Sequence, residues 1–311
     1  MGTKTAIYDV VIVGMGPAGI TAAIYAARKK LNVAVIGDLP GGEVRNSGEI
    51  ENWPGGGITN GNQLADQFLK HLDLHKTEVQ RVNGRVQVIS KQDNIFLSTL
   101  TDGQTLVSRT VIYAAGRHPR HLGIPGEEEL RNRGVSYCAT CDAPLFQDKT
   151  VAVIGGGNTG AEAVIMLQPI AKKIYLVQLL DSLTADQVLI DSFKDDPKVE
   201  IILEAQTKRI GGNPVVQSLE YANIKTGKTK TLDLEGVFVA IGAIPNSQPV
   251  ANLVKLNELG AIPADRYGRT DIEGFLAAGD VTDIRDAQIV VAAGHGCSAA
   301  LSAGDFLVRN R

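Results

Sequence analysis

The chain has 311 residues, 44% of them hydrophobic and 21% charged, with a formal net charge of -3, the profile of a globular protein long enough for two domains and a buried cofactor. No basic excess points to nucleic acid or an anionic membrane surface, and no apolar run reaches the roughly 18 residues that a bilayer span requires. Three cysteines are too few for a disulfide-stapled secreted scaffold, MGTKTAIYDVVIVG lacks a signal-peptide pattern and Ala6 breaks the myristoylation pattern, so a cytoplasmic location is the expectation.

YDVVIVGMGPAGITAAIYAARKKLNVAVIGD, from Tyr8 to Asp38, reads as a βαβ unit: a short apolar strand, GxGxxG at Gly14, Gly16 and Gly19, an Ala-rich helix to Lys30, and a second strand from Val33 to Ile36. The glycines let the backbone approach a pyrophosphate, the helix N-terminus favours its charge, and Asp38 stands where an acid can bond a ribose hydroxyl. An apolar strand, TLVSRTVIYAAG, ends at Gly116. YCATCDAP, from Tyr137 to Pro144, then holds two cysteines with CxxC spacing, open at this point to a redox dithiol, half of a zinc site or an accidental pair. Directly after it, KTVAVIGGGNTGAEAVIMLQPIAKKIYLVQ repeats strand, GxGxxG at Gly155, Gly157 and Gly160, helix and strand. LEGVFVAIGAIPN closes on Asn246, FLAAGDVTD carries Gly279-Asp280, and an Ala-rich helix is predicted from about Gln288 to Val308. The fold class is therefore α/β, with two nested dinucleotide-binding domains, Rossmann-like and three-layered: 1–117 with 245–311 as one discontinuous domain, and 118–244 inserted into it.

Taken in order, GMGPAG, GGE followed by EIENWPG, CATCD, GGGNTG, and GDV followed by AGHGCSAAL resemble the low-molecular-weight thioredoxin reductases over nearly the whole chain. The resemblance implies an FAD domain built from both chain ends, a central pyridine-nucleotide-type domain carrying the dithiol, a homodimer, and thioredoxin or a similar small dithiol protein as partner. Carried over by position, Gly14, Gly16, Pro17, Ala18 and Gly19 would wrap the FAD pyrophosphate. Gly42, Glu43 and Asn52 would lie near the adenosine and flavin, Asp280 at the ribityl chain, and Ala287, Gln288 and Ile289 beside the isoalloxazine. Asp38 would hold the adenine ribose or cap a turn before Pro40. Zinc would need about four ligands, whereas the only other cysteine is Cys297 and the histidines show no ligand spacing, so no metal site is expected and the pair reads as a redox dithiol. By resemblance Cys141 is the flavin-proximal sulfur, Cys138 the interchange nucleophile, and Asp142 the general acid, a role that suits a carboxyl whose pKa burial has raised. The plainer reading of Asp142 is a helix or turn cap.

The central domain departs from that family. NADPH-dependent members carry an Arg-rich stretch resembling HRRxxxR after the second strand, because guanidinium forks grip a 2′-phosphate. Here VQLLDSLTADQVLIDSFKDD has, from Gln178 to Asp196, no Arg, the single Lys194, and Asp181, Asp186, Asp191, Asp195 and Asp196. Gln178 stands where an NADH site offers an acid. The phosphate cradle of Gly155, Gly157, Asn158, Thr159 and Gly160 survives while the NADPH selector is gone. This favours a donor other than NADPH, either reduced ferredoxin or a second FAD in the central domain; a conventional reductase using NADH or, poorly, NADPH is the alternative. A flavin-bound interaction protein without catalysis is the remote reading, against which CATCD argues.

Other residues carry weaker signals. Trp53 reads as packing under a Pro-Gly turn, Cys297 as a small buried residue, His118 and His121 as loop residues near a hinge, and His295 as a candidate for tuning the flavin. Arg45 and Arg285 flank the flavin motifs and are candidate partner contacts, and GEEEL, Gly126 to Leu130, reads as a solvated helix start.

Overall fold

The computed structural model describes residues 7–310, so the reading of Ala6 lies outside the described residues. The chain divides into two units, Met1–His118 with Ile244–Arg311, and Pro119–Ala243. The first is built on a seven-stranded sheet. Strands Val79–Val82, Val33–Ile36, Ile7–Val13 and Thr105–Tyr113 run parallel in that spatial order. Thr105–Tyr113 is long enough to carry two neighbours along one edge: its first half pairs antiparallel with Ile95–Leu100, and its second half pairs parallel with Phe275–Ala277. The runs VVIV and VAVI are buried, which is why they read as continuous apolar stretches rather than alternating ones.

The helices of this unit pack closely because the residues between them are small. Ala22, Ala23 and Ala26 of helix Pro17–Arg28 and Ala299, Ala300 and Ala303 of helix Ile289–Arg309 are fully buried in one cluster. A Cβ at Gly296 would stand 2.0 Å from the carbonyl oxygen of Ala18, so any other residue there would drive the two helices apart. The predicted last helix is thus present, one residue shifted at each end.

The second unit has a five-stranded parallel sheet in the order Val135–Ser136, Gly236–Val239, Thr150–Ile154, Lys173–Val177, Val199–Ile202. A three-stranded antiparallel sheet, Ala205–Gly212, Val216–Asn223 and Thr229–Asp233, accompanies it. The CxxC turn follows the carboxyl end of Val135–Ser136, and the GGGNTG turn follows the carboxyl end of Thr150–Ile154. In open parallel sheets that edge is where ligands bind. Among the described residues no helix is long and apolar enough to cross a membrane.

Candidate active site and nucleotide cradles

Strand Val135–Ser136 leads into the dithiol almost at once. Cys138 is the N-cap of the single-turn helix Ala139–Asp142 and is disulfide-bonded to Cys141. The turn brings the Cys141 N–H to 3.2 Å from Cys138 Sγ, a donor that favours a thiolate on Cys138 once the disulfide opens. Cys138 is half-buried and Cys141 exposed. Asp142 completes the turn. Its Oδ2 accepts the Ser136 hydroxyl at 2.6 Å. Burial pushes this carboxyl above the usual carboxylate range, and the Ser136 bond opposes the rise. The side chain makes no cap bond to the following turn, Ala143–Phe146, so the capping alternative is not realised. A carboxyl raised in this way beside a disulfide has the character that protonating a leaving thiolate requires.

A second network stands behind the dithiol, and the sequence reading missed it. GEEEL is no solvated helix start at its second residue: Glu127 is 2% exposed. Its two oxygens accept the N–H groups of Leu122 and Gly123 at 2.8 and 2.7 Å, and Tyr137 O–H at 2.8 Å. His121 Nδ1 lies 3.0 Å from the Tyr137 hydroxyl and 3.0 Å from Glu128 Oε1, so it belongs to this network rather than to open loop. Burial first, then the Glu127 bond, pushes the Tyr137 phenol up, which keeps it a neutral donor. A charge run is normally a solvated face; here the partners of Glu127 are main-chain groups that no sequence pattern advertises. Glu127→Ala leaves the Leu122 and Gly123 amides unpaired in the interior and should lower stability by about 3 kcal/mol, read as a fall in the urea midpoint without loss of bound flavin.

In the first unit the GMGPAG turn has the geometry of a pyrophosphate cradle. Gly14 has φ +111°, and a Cβ there would stand 2.1 Å from the Ala114 carbonyl oxygen. A Cβ at Gly19 would stand 1.9 Å from Gly14 O. Gly16 is the N-cap of helix Pro17–Arg28, Pro17 opens it, and no side chain caps it, so its first N–H groups face outward for an anion. Ala18 is buried against the Gly279 turn. Gly42 packs on Gly16: a Cβ at Gly42 would be 2.8 Å from the Gly16 Cα. Glu43 Oε2 accepts from Asn46 at 2.9 Å. Asn52 Nδ2 donates to Gln288 Oε1 at 3.1 Å, joining two predicted flavin residues. Ala287 and Gln288 precede Ile289, which opens the last helix and packs on the cluster of Val44, Ile50, Leu64 and Ala65.

Asp280 supplies the sharpest test of fit. Its Oδ1 is buried with no hydrogen-bond partner. Burial raises its carboxyl, with Arg117 opposing. A buried acceptor without a donor is costly unless a ligand supplies one, and the hydroxyls of a ribityl chain are such donors. His295 holds the same turn: its Nδ1 accepts the Gly279 N–H at 3.2 Å, and burial lowers its pKa, so it stays neutral with the proton on Nε2. These residues fit an FAD. Asp38 is paired with Arg85, which leaves one carboxylate oxygen for a ribose.

Several weaker expectations change. Arg45 is bonded to Asn62 and Asp66 of helix Gly61–Asp73, whereas Arg285 is exposed. Trp53 packs edge-on against Phe68, with ring centroids 5.1 Å apart. Cys297 is half-buried. His118 Nδ1 lies 2.9 Å from Asn246 Oδ1.

The second cradle is also intact. Gly155 has φ +118°, and a Cβ at Gly160 would stand 1.8 Å from Gly155 O. Helix Asn158–Leu167, with Thr159 and Gly160 in its first turn, has no side-chain cap, and the Asn158 side chain exchanges two bonds with Asp186. These features fit a pyrophosphate. Gln178 is turned to its own loop: at 7% exposure, its Oε1 accepts Leu179 N–H at 3.1 Å and its Nε2 donates to Ser182 O at 3.2 Å. Leu179 and Leu180, which follow it in the stretch where the resemblance leads one to expect arginines, are 49% and 50% exposed, and Lys194 is paired with Asp191.

The family model for pyridine nucleotide-disulphide oxidoreductases matches residues 8–296. A Staphylococcus aureus component of alkyl hydroperoxide reductase is 42% identical over 304 residues, 97% of this chain and 60% of that protein. A Bacillus subtilis protein named NADH dehydrogenase is 41% identical over 303 residues, 97% of this chain and 59% of its own length. The chain thus spans about 60% of the length of the curated relatives it matches. Thioredoxin reductase from Streptococcus pyogenes superposes with a TM-score of 0.93 at 37% identity, covering 98% of this chain and 100% of that one. The enzyme from Giardia duodenalis gives 0.92 at 31% identity, covering 97% and 99%. With its two cradles, its disulfide and these matches, the chain belongs to the pyridine nucleotide-disulphide oxidoreductase family.

Proposed function

We propose that this enzyme carries electrons from NADH, by way of FAD bound in the first unit, to the Cys138–Cys141 disulfide and on to the disulfide of a thioredoxin-type dithiol protein. The observation that carries the reading is the CATC disulfide with a half-buried Asp142 beside it, whose carboxyl burial raises above the usual carboxylate range. FAD, when bound, supplies the two-electron reduction of that disulfide. The Cys138 thiolate then attacks the partner disulfide: a Cys138–partner bond forms, the partner S–S bond breaks, and the leaving thiolate takes the Asp142 proton. Cys141 attacks Cys138 Sγ, the second partner thiol leaves with the Cys141 proton, and the internal disulfide re-forms. Two electrons have passed to the partner.

NADH is preferred over NADPH because the phosphate cradle is intact while nothing cationic stands at the 2′-phosphate position, and because a relative bears the name NADH dehydrogenase. The name of the Staphylococcus aureus relative makes a peroxide-reducing system the second candidate destination for the electrons. A homodimer rests on the resemblance alone, and a cytoplasmic location on the sequence expectation.

The test is an anaerobic titration of the flavin with NADPH, then NADH, with dithionite as control. Bleaching at stoichiometric NADH supports the proposal; bleaching by dithionite alone overturns the donor and turns attention to ferredoxin, or to a second FAD counted from the flavin-to-chain ratio. Placing guanidinium groups at the outward leucines, Leu179→Arg with Leu180→Arg, should lower the KM for NADPH about tenfold relative to NADH.

A further inference from the structure

We propose that Ser136 is a positioning residue for thiol-disulfide exchange, its one hydroxyl fixing the Asp142 carboxyl and the Cys138 main chain in a set relation; this rests on the reading of Asp142 as proton donor given above. Ser136 is 4% exposed at the carboxyl end of its strand. Its hydroxyl donates to Asp142 Oδ2 at 2.6 Å and accepts the Cys138 N–H at 3.1 Å. The Cys138 carbonyl oxygen lies 3.4 Å away. A hydroxyl has one donor and two acceptor positions, so both bonds hold together while Asp142 is ionised. When Asp142 takes up a proton, the Ser136 hydrogen can turn to the Cys138 carbonyl. The same oxygen therefore serves both protonation states without moving the cysteine.

The placement has a direct chemical consequence. With Oδ2 held by Ser136, Oδ1 is the oxygen left to carry the proton that the leaving thiolate needs. Ser136 also favours the ionised carboxyl, opposing the effect of burial, so it limits how far the acid stays protonated. No charged side chain contributes to that balance. Of the elements around the turn, helix Asn158–Leu167 has only Glu162, which is exposed, strand Gly236–Val239 and turn Ala143–Phe146 carry no titratable group, and the buried Glu127 is engaged by Leu122, Gly123 and Tyr137. Without Ser136 the buried carboxyl would hold its proton to higher pH but lose its fixed aim.

The experiment compares two disulfides that differ only in what the leaving thiolate requires. Alkyl thiolate from cystamine needs a proton; the nitroaromatic thiolate from 5,5′-dithiobis(2-nitrobenzoate) is stabilised by its ring and leaves without one. The FAD-loaded enzyme is reduced anaerobically with stoichiometric dithionite and mixed with each probe across a pH series. Ser136→Ala should slow cystamine reduction about tenfold, leave the nitroaromatic reaction unchanged, and move the alkaline fall of the cystamine profile to higher pH. Equal slowing with both probes would mean that Ser136 only supports the turn, and an unchanged cystamine profile would mean that it does nothing for the proton; either overturns the proposal. Asp142→Asn separates the two readings. If Asp142→Asn discriminates between the probes and Ser136→Ala does not, the Ser136 proposal fails alone. If Asp142→Asn treats both probes alike, the general-acid reading itself has failed, and the Ser136 proposal with it.

Discussion

Cys141→Ser should purify yellow, keep its FAD, and take up about two electrons per chain from dithionite where the parent takes about four, because the disulfide has gone and the flavin remains. Reduction of the partner disulfide should fall by at least about 10³-fold in this variant and equally in Cys138→Ser, since each removes one half of a unit that works only as a pair. The two variants separate when an excess of oxidised partner is added to protein whose remaining thiol is free. Cys141→Ser retains the sulfur that accepts the Cys141 amide hydrogen bond and lacks the thiol that would resolve the mixed disulfide, so a covalent adduct should accumulate and be visible by mass spectrometry. Cys138→Ser should form far less of it, even though Cys141 is the more exposed sulfur; thiolate character, more than exposure, sets the rate of attack. Adduct forming preferentially through Cys141 would reverse the two assignments, and Cys138→Ser reducing its partner at the parent rate would remove the nucleophile role from that residue.

Asp280→Ala should weaken FAD binding about 100-fold, the loss of a hydrogen bond to a charged buried acceptor, and should stabilise the apoprotein at neutral pH. The second effect has the unusual sign. Oδ1 of Asp280 is buried without a partner, so in the absence of flavin the folded chain carries a carboxylate that water would solvate better. Burial raises the folded-state pKa above the unfolded value. Between the two values the folded state binds more protons, so stability falls as pH rises through that window and the penalty is fully present above the folded pKa. Thermal melts of the apoprotein should therefore show the parent gaining stability as pH drops from neutral toward the ordinary carboxylate range, with the alanine variant showing a flatter slope and a higher Tm at pH 7. An unchanged FAD affinity, measured by quenching of flavin fluorescence, would remove Asp280 from the flavin site.

What could be read from the chain alone was what lies close together in it. Each glycine fingerprint sits inside one strand-turn-helix, so a local spacing reports a local geometry, and Gly14 and Gly155 stand at the positive φ values that the pattern requires. CATC was legible for the same reason. Ser136 was not, because a serine two residues before a cysteine has no meaning until a turn brings Asp142 back to it. Glu127 was misread because its value depends on two amide groups and a phenol that reach it only in the folded state. Gln178 shows the limit in the other direction: the position was identified correctly as the end of the strand, but whether its amide faces a ligand or its own loop is decided by burial.

The first unit is assembled from both ends of the chain, and this orders events on the ribosome. Strand Phe275–Ala277, the Asp280 turn and helix Ile289–Arg309 complete that unit, yet they emerge after the whole of the second one. Pro119–Ala243 is continuous and has its own hydrophobic clusters, so it can fold while the first unit is still an open sheet with an uncovered Ala-rich helix. On the proposed function, the dithiol domain therefore forms before the flavin can be held, and a chain stopped anywhere after Ala243 and before the final helix would carry a folded dithiol without the flavin that reduces it.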